Sequence, residues 1–408
     1  MWLYVGSLTC LLIASAFKND ADAILSTLYW FELQTGPAVN ALKSMYIPLI
    51  ILGCLLAFPK AISGMLSRNA PRTFLFLFSF CYAISISSAL YFDSGESFRI
   101  ALSFIIFILS TFSVCGAIDR FGPRRCFRLT LVAFTAFSCI LIVTNIIDYV
   151  RGLGYVPGNP RMFGSASHPN FFGVQLALAG IALLTVFFSA GSYLIKCGVA
   201  SLIALDALLL VATGSRTGML MLASGSALLL WVQLGGRAWV GMLSISIAIA
   251  VAFILISAVQ LDQYSDVFNR GGETDTRTAA WAAMVELISD SPILGYGGPI
   301  GTSENSFLRG WVAYGVGYTF IAVGTFTSLM VLGVFRSVRH DPTFSNVSGF
   351  CMALLIGSNL EGFMVDGFSP GWLVGVILMS MIGTERRHAC RAAVGSGRPK
   401  QGIIAHSR

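Results

Sequence analysis

Charged residues are scarce in this 408-residue chain, where Asp, Glu, Lys and Arg together make up only 11%. So few charges exclude an ordinary soluble globular protein, in which they make up about a quarter of all residues. Hydrophobic residues make up 56%, and the mean hydropathy is +0.78. The composition therefore predicts an all-α fold, a polytopic integral membrane bundle of helices.

Metal-ligand patterns are also lacking. The nine cysteines form no CxxC pair, and most lie inside apolar runs, which favours packing residues over a disulfide framework. Clusters of acidic ligands are not visible, so we expect no metal and no other cofactor. The net charge of +7 is unevenly distributed, so we assign it to the sides of a membrane and expect no nucleic acid partner.

Long apolar runs predict about twelve spanning helices, because a helix needs about 20 apolar residues to cross a bilayer. The first run has no basic segment before it and no evident cleavage site, so we interpret it as a retained helix, with a signal peptide as the alternative. The predicted spans are roughly 2–17, 42–58, 73–92, 98–118, 128–148, 170–189, 197–213, 217–234, 238–259, 307–335, 346–362 and 371–384.

Lys and Arg residues accumulate in alternate connections between these spans. Such a bias predicts that both termini are cytoplasmic and that the large polar loop 260–310 is external. The basic connections contain Lys60, Arg68, Arg72, Arg120, Arg124, Arg125, Arg128, Lys196, Arg237, Arg336, Arg339 and the tail 385–408. We therefore predict a multi-pass protein of the bacterial inner (plasma) membrane with its active face periplasmic or extracellular.

Two short segments on the predicted outer side carry candidate anion ligands. In Gly214-Ser215-Arg216-Thr217-Gly218, a tight turn holds Arg216 at the edge of the bundle, where a guanidinium suits a phosphate. Simple snorkelling of Arg216 to the interface explains the turn equally well. In Arg161 to Asn170, Pro169 starts a helix whose N-terminus can face an anion, while His168 is either a site residue or an ordinary loop residue.

The external loop supplies further candidates. Thr274 or Asp275 can cap a helix that carries Arg277 and, one turn later, Trp281. Arg277 is either an anion ligand or a solvated charge, and Trp281 either contacts sugar or lipid or anchors the interface. Glu304, at the mouth of the next span, is either a general base or a structural salt-bridge partner.

These motifs, in this order, resemble the O-antigen ligase and O-antigen polymerase superfamily of membrane glycosyltransferases. The resemblance runs from about Arg161 to Gly317 and rests on three groups of residues. The groups are Arg161-x-x-Gly164 with His168-Pro169-Asn170, then Ser215-Arg216-Thr217-Gly218, then Arg277-x-x-x-Trp281 with Ser291-Pro292-x-x-Gly295-x-Gly297, Glu304-Asn305-x-x-Leu308 and Gly315.

The resemblance implies a metal-independent glycosyltransferase, a ligase or polymerase that moves a glycan from an undecaprenyl-diphosphate-linked donor to an acceptor hydroxyl. It implies diphosphate binding by Arg216, Arg277 and Arg161, and substrate binding by Trp281, Asn305 and Asn170. Its implied partners are a lipid-linked oligosaccharide donor, a glycan or lipid-core acceptor, membrane lipid, and also a flippase and a chain-length regulator. The setting would be O-antigen, lipopolysaccharide or exopolysaccharide assembly.

The chain departs from the family at the base. Many members have His-Asn where this chain has Glu304-Asn305, so the catalytic candidates are Glu304 and His168. The same resemblance divides the chain into N-terminal transmembrane helices at 1–160, a ligase-like core at 161–335, C-terminal transmembrane helices at 336–384 and a basic cytoplasmic tail at 385–408.

Two other classes remain as alternatives. The segment Gly116 to Arg125 approaches a loop motif of major-facilitator transporters, but its spacing differs, it follows the fourth span, and no internal repeat is visible. A non-enzymatic component of a polysaccharide export complex would explain the helices but not the external arginines.

Overall fold

The computed structural model describes residues 1–17, 33–157, 159–166, 168–234, 276–298, 305–338, 346–364 and 368–395, with the backbone only at 276–278 and 385–395. Over these ranges the chain forms thirteen α-helices and one 3-10 turn, Gly164–Ala166. The helices are α1 Trp2–Ala16, α2 Pro37–Ser44, α3 Tyr46–Met65, α4 Arg72–Tyr91, α5 Ser97–Phe121, α6 Pro123–Val150, α7 Pro169–Ser189, α8 Tyr193–Thr213, α9 Arg216–Leu234, α10 Thr276–Asp290, α11 Ser306–Val338, α12 Ser348–Leu360 and α13 Pro370–Gly395.

The predicted all-α membrane fold is confirmed. Eight helices, α3 to α9 and α11, are long and apolar enough to cross a membrane, whereas α1, α12 and the apolar part of α13 are shorter. Each predicted span coincides with one of these helices except 238–259, which lies outside the described residues. The helix predicted after residue 275 is α10.

The ends of the spans fall into two sets, because short connections make successive helices antiparallel. The set that includes the start of α1, the turn between α3 and α4 and the turn between α5 and α6 is here called the basic end. The opposite set is here called the site end. It includes the 151–168 segment, the turn between α8 and α9, and the start of α11.

Helix α1 is part of the core. Its Leu8, Leu11 and Leu12 are fully buried, and the hydroxyls of Tyr4 and Thr130 lie 2.8 Å apart, which ties α1 to α6. Helix α1 is therefore packed against α6 inside the bundle.

Small residues allow the remaining helices to approach closely, as packing in lipid requires. At the α7–α9 crossing, a Cβ on Gly218 would lie 2.6 Å from the Gly173 carbonyl oxygen. Helix α7 is enclosed by its neighbours, with 72% of its apolar window buried, against 22% for α8. Helix α7 is therefore an internal support for the site end, while α8 lies at the edge of the bundle.

Helix α11 is interrupted at Gly315, where φ is 81° and ψ is 178°. Residues before Gly315 form a short helix at the site end, and those after it form the span. A positive φ of this kind favours glycine. The interruption also frees backbone groups that an unbroken helix would pair internally, and their new partners shape the site described next.

Candidate functional site

The turn between α8 and α9 presents Arg216 to solvent. Gly214 has a φ of 58°, which reverses the chain, and the buried Ser215 caps α9 by accepting the Gly218 N–H at 3.1 Å. Arg216 is the first residue of α9, and its side chain is exposed. The cap and the helix dipole direct positive electrostatic potential to the same surface as this guanidinium.

Arg161 is a clamp across this turn. Its Nε donates to the Thr213 carbonyl at 2.8 Å and its Nη2 donates to Asn170 Oδ1 at 2.7 Å. A longer contact of 3.5 Å reaches the Gly214 carbonyl. The guanidinium thereby joins the end of α8 to the start of α7, and the Met162 N–H strengthens the join by donating to the Ala212 carbonyl at 2.8 Å.

His168 caps α7. Its Nδ1 accepts the Asn170 N–H at 3.3 Å, and its ring lies 5.2 Å from that of Phe171. Burial, followed by the positive charges of Arg161 and Arg309, lowers the pKa of His168 to about 3. The imidazole is therefore neutral at pH 7, and with Nδ1 accepting, its proton is on Nε2. In this arrangement His168 can donate a hydrogen bond but has no ring nitrogen left to accept a proton.

The start of α11 lies at the same end. Asn305 Oδ1 caps the helix by accepting the N–H groups of Phe307 and Leu308 at 2.8 and 3.2 Å. Its Nδ2 donates to the Asn359 carbonyl at 3.0 Å, so the cap is also tied to α12. The charge of Arg309 contributes to the lowered pKa of His168, and the N-termini of α7 and α11 lie at the same end of the bundle.

Glu361 is a site-end residue that the sequence motifs did not single out. It follows α12, is only 1% exposed, and its carbonyl accepts the Ser306 hydroxyl at 2.7 Å. The backbone of Glu361 is therefore tied to the first residue of α11. The available signal in the sequence was an acid at the outer end of a predicted span, unaccompanied by any motif.

The segment 291–298 after α10 is held against the interruption in α11. The Tyr296 and Gly297 N–H groups donate to the Val312 and Ala313 carbonyls at 2.9 and 2.8 Å, while the Val316 N–H donates to the Pro292 carbonyl at 3.1 Å. These are the carbonyls and the N–H that the interruption leaves without helical partners. Here we call this set of bonds the clasp, and it fixes helix α10 to the rest of the bundle.

Three side-chain hydrogen bonds, two of them from the end of α4 and the turn after it, complete the clasp. Ser88 donates to the Leu294 carbonyl at 2.9 Å, Ser94 donates to the Gly297 carbonyl at 2.8 Å, and the Trp311 ring N–H donates to the Pro292 carbonyl at 2.8 Å. The glycines of the Ser291 to Gly297 motif thus have a structural function: Gly295 and Gly297 adopt φ values of 65° and 75°.

For three predicted site residues, the structure gives no contact with the residues above. Glu304 lies outside the described residues, and the side chain of Arg277 is not described, although the residue is in the first turn of α10. Trp281 is half-buried on α10, and within the described part of the chain its ring N–H has no hydrogen-bond acceptor. The structure therefore brings together Arg161, His168 and Asn170 beside the turn that carries Arg216, and it places Asn305 at the same end of the bundle.

Residues 199–322, which contain the turn before α9, the clasp and the start of α11, match the model of a protein family described as O-antigen ligase. This part of the chain is similar to the O-antigen ligase family. A search of curated proteins finds no match. The O-antigen ligase domain confirms the family resemblance and indicates a glycosyltransferase-like membrane enzyme of the ligase or polymerase kind, acting on a lipid-linked glycan donor and an acceptor.

The matched O-antigen ligase domain begins after Arg161, His168 and Asn170. Arg161 nevertheless contacts it by donating to the carbonyls of Thr213 and Gly214, and Asn170 is joined to it through Arg161. The Arg161 clamp therefore connects the matched domain to the segment before α7.

Proposed function

We propose that the protein transfers a glycan from an undecaprenyl-diphosphate carrier to an acceptor hydroxyl at the site end of the bundle. The observation that supports this most directly is that Arg161 joins the start of α7 to the turn before α9, beside the exposed Arg216. The N-terminus of α11, with Arg309, lies at the same end of the bundle. Helix N-termini and guanidinium groups both stabilise phosphate oxygens, so a diphosphate suits this end.

The reaction exchanges one bond for another. The acceptor oxygen attacks the anomeric carbon of the donor sugar while the bond from that carbon to the diphosphate oxygen breaks, through a state with oxocarbenium character. Negative charge grows on the departing diphosphate as the bond breaks. Cationic groups that are already in place stabilise that charge more in the transition state than in the ground state, and so accelerate the step.

The arginines have different roles in this proposal. Arg216 is exposed and binds the diphosphate directly, together with Arg277 from α10. Arg161 spends two of its donors on protein acceptors, so it acts mainly as a positioning residue that holds the α8–α9 turn. Asn170 and Asn305 shape the same surface through the clamp and the α11 cap, and Trp281 offers an aromatic face to sugar or lipid.

The proton of the acceptor hydroxyl needs a base. We assign the role of this base to Glu304, which directly precedes the Asn305 cap of α11 in the sequence. His168 is a weaker candidate, because its acceptor nitrogen is engaged and its pKa is lowered to about 3. We propose instead that His168 donates from Nε2 to the leaving diphosphate. Glu361 is the second carboxylate near the start of α11 and is the necessary comparison.

The orientation is part of the proposal. With the basic end cytoplasmic, the site end and the loop 260–310 face the periplasm or the outside, where a lipid-linked donor is the available source of activated sugar. Reporter fusions after Gly122 and within 260–310 should give opposite readings. Equal readings would overturn this orientation.

The decisive experiment supplies purified protein with a lipid-diphosphate glycan and candidate acceptors. We expect a new glycosidic bond and release of the lipid diphosphate, and we expect Arg216→Lys to lose most of this transfer, since an ammonium cannot replace a bidentate guanidinium. Movement of substrate across vesicles without a new bond would instead favour the transporter alternative. A lipid-linked acceptor would identify a polymerase, and a lipid-core acceptor a ligase.

A further inference from the structure

Three cationic side chains at the basic end surround one aromatic ring. Lys60 Nζ lies 5.2 Å from the centre of the Phe121 ring, and the guanidinium carbons of Arg120 and Arg125 lie 5.7 and 5.8 Å from it. The three cations come from three helices, α3, α5 and α6. We call this arrangement the Phe121 cluster.

The cluster concentrates like charge at a short distance. Because each cation lies within 5.8 Å of the ring centre, any two of them are separated by at most twice that distance. This separation is similar to the distance over which salt screens exposed charges, so the cations still repel one another. Lys60 is only 8% exposed, so water screens it poorly, and it repels Arg120. Attraction to the ring offsets part of this repulsion but does not neutralise the charges.

Few acids are available to balance the cluster. In the part of the chain that the structure describes, Lys60, Arg120 and Arg125 form no ion pair with a carboxylate. The nearest acid in sequence, Asp119, is exposed and accepts the side-chain amide of Asn69 at 3.0 Å. Further exposed arginines at this end add to the positive charge: Arg68, Arg72, Arg124 and Arg128.

Large apolar side chains are exposed at the same end of the bundle as the cluster. Trp2, Met65 and Leu66 lie at the same end and are 73%, 60% and 82% exposed. A free phosphate ion would gain nothing from them, whereas acyl chains attached to a bound phosphate would cover them. Basic pockets between transmembrane helices are suited to anionic headgroups for this reason.

We infer that the Phe121 cluster binds the phosphate group of an anionic membrane lipid, with the acyl chains against the neighbouring apolar surface. The site is at the end of the bundle opposite the proposed glycosyl-transfer site, so it does not depend on that proposal. The bound anion would relieve the repulsion among the three cations and hold together the ends of α3, α5 and α6.

The test uses the full-length protein in detergent and measures phosphatidylglycerol binding by native mass spectrometry, with phosphatidylcholine of the same acyl chains for comparison. The double variant Arg120→Gln/Arg125→Gln changes only exposed side chains. We expect its affinity for phosphatidylglycerol to fall by about tenfold or more, since each guanidinium would lose a charge-assisted hydrogen bond to the lipid phosphate. Binding of phosphatidylcholine should not change.

Arg68→Gln/Arg72→Gln is the matched control, because it removes the same charge from the same end but not from the cluster. We expect its affinity to stay within about threefold of the wild type, since these exposed arginines are outside the cluster and salt screens their charge from the bound phosphate. Equal losses in the two double variants would show a general surface effect and overturn the proposed site. So would a wild-type protein with no preference for phosphatidylglycerol.

Two further measurements keep the assignment specific. Phe121→Leu retains every charge but removes the ring that gathers the cations, so phosphatidylglycerol binding should weaken several-fold, and unchanged binding would contradict the arrangement. Displacement of the lipid by equimolar inorganic phosphate would identify free phosphate as the ligand and overturn the lipid assignment.

Discussion

Replacing Arg161 with lysine should separate the clamp from the anion site. The guanidinium reaches the Thr213 carbonyl and Asn170 Oδ1 at the same time, at 2.8 and 2.7 Å. One ammonium group cannot reproduce both bonds with their fork-like geometry. Hydrogen bonds to charged groups contribute about 1.5–3 kcal/mol each. The loss of one in Arg161→Lys should therefore lower the free energy of unfolding by about 2 kcal/mol.

Arg216→Lys should behave in the opposite way. Arg216 is exposed, and surface substitutions of this kind usually change stability by no more than about 0.5 kcal/mol. The Arg216→Lys substitution should instead lower the rate of glycan transfer, because the proposed contact of Arg216 is with the diphosphate. Arg151→Lys is a suitable control, since Arg151 is an exposed arginine just after α6 at the same end, and it should affect neither property.

The assay compares the three lysine variants in the same detergent. Unfolding with denaturant or heat reports stability, and transfer from a lipid-diphosphate glycan reports activity. We expect Arg161→Lys to lose both, Arg216→Lys to lose transfer alone, and Arg151→Lys to match the wild type. Wild-type stability of Arg161→Lys would refute the clamp. Equal destabilisation of Arg161→Lys and Arg216→Lys would refute the division of roles.

Three other variants test the rest of the site. Glu304→Gln should reduce turnover about 10²–10⁴-fold, the usual effect of removing a positioned base, while donor binding is kept. Glu304→His should be more active than the Gln variant. Normal turnover in Glu304→Gln together with a large loss in Glu361→Gln would instead identify Glu361 as the base. For His168, the folded pKa of about 3 lies below the usual 6.5, so its contribution to stability is complete above about pH 6.5 and is lost as pH falls toward 3. His168→Gln should therefore flatten the decline in unfolding free energy between these pH values, and an unchanged decline would contradict the lowered pKa. Gly315→Ala should destabilise the protein and release α10, since Gly315 has a φ of 81° and an added Cβ would collide with the Ile293 carbonyl oxygen. Gly324→Ala is the control in the same helix: no atom lies within 4 Å of its added Cβ, so it should be neutral or slightly stabilising. The denaturation midpoints of the two variants test this difference.

The sequence by itself determined the class of fold and nearly all the helices. In lipid every backbone N–H and C=O needs an internal partner, so an apolar run of sufficient length forms a helix whatever its neighbours are. Local patterns were also sufficient for α10, for the turn at Gly214 and for Pro169 at the start of α7. The O-antigen ligase motifs were readable for the same reason, because each is a short segment whose residues lie close together in the chain.

Only the tertiary structure decided what those motif residues contact. Arg161 was a candidate diphosphate ligand in the sequence, but its partners are Asn170 and the Thr213 carbonyl, which lies 52 residues away along the chain. Gly315 was a single motif position, and its function depends on the segment from Pro292 to Gly297.

Non-local contacts explain the residues that the sequence did not reveal. Glu361 was not singled out because its importance comes from a bond to Ser306, 55 residues away along the chain. The Phe121 cluster was read only as a set of cytoplasmic charges, because Lys60 reaches Phe121 only where α3 and α5 cross. Hydropathy and helix signals act within one segment, whereas the site and the cation cluster are produced by the packing of helices from distant parts of the chain.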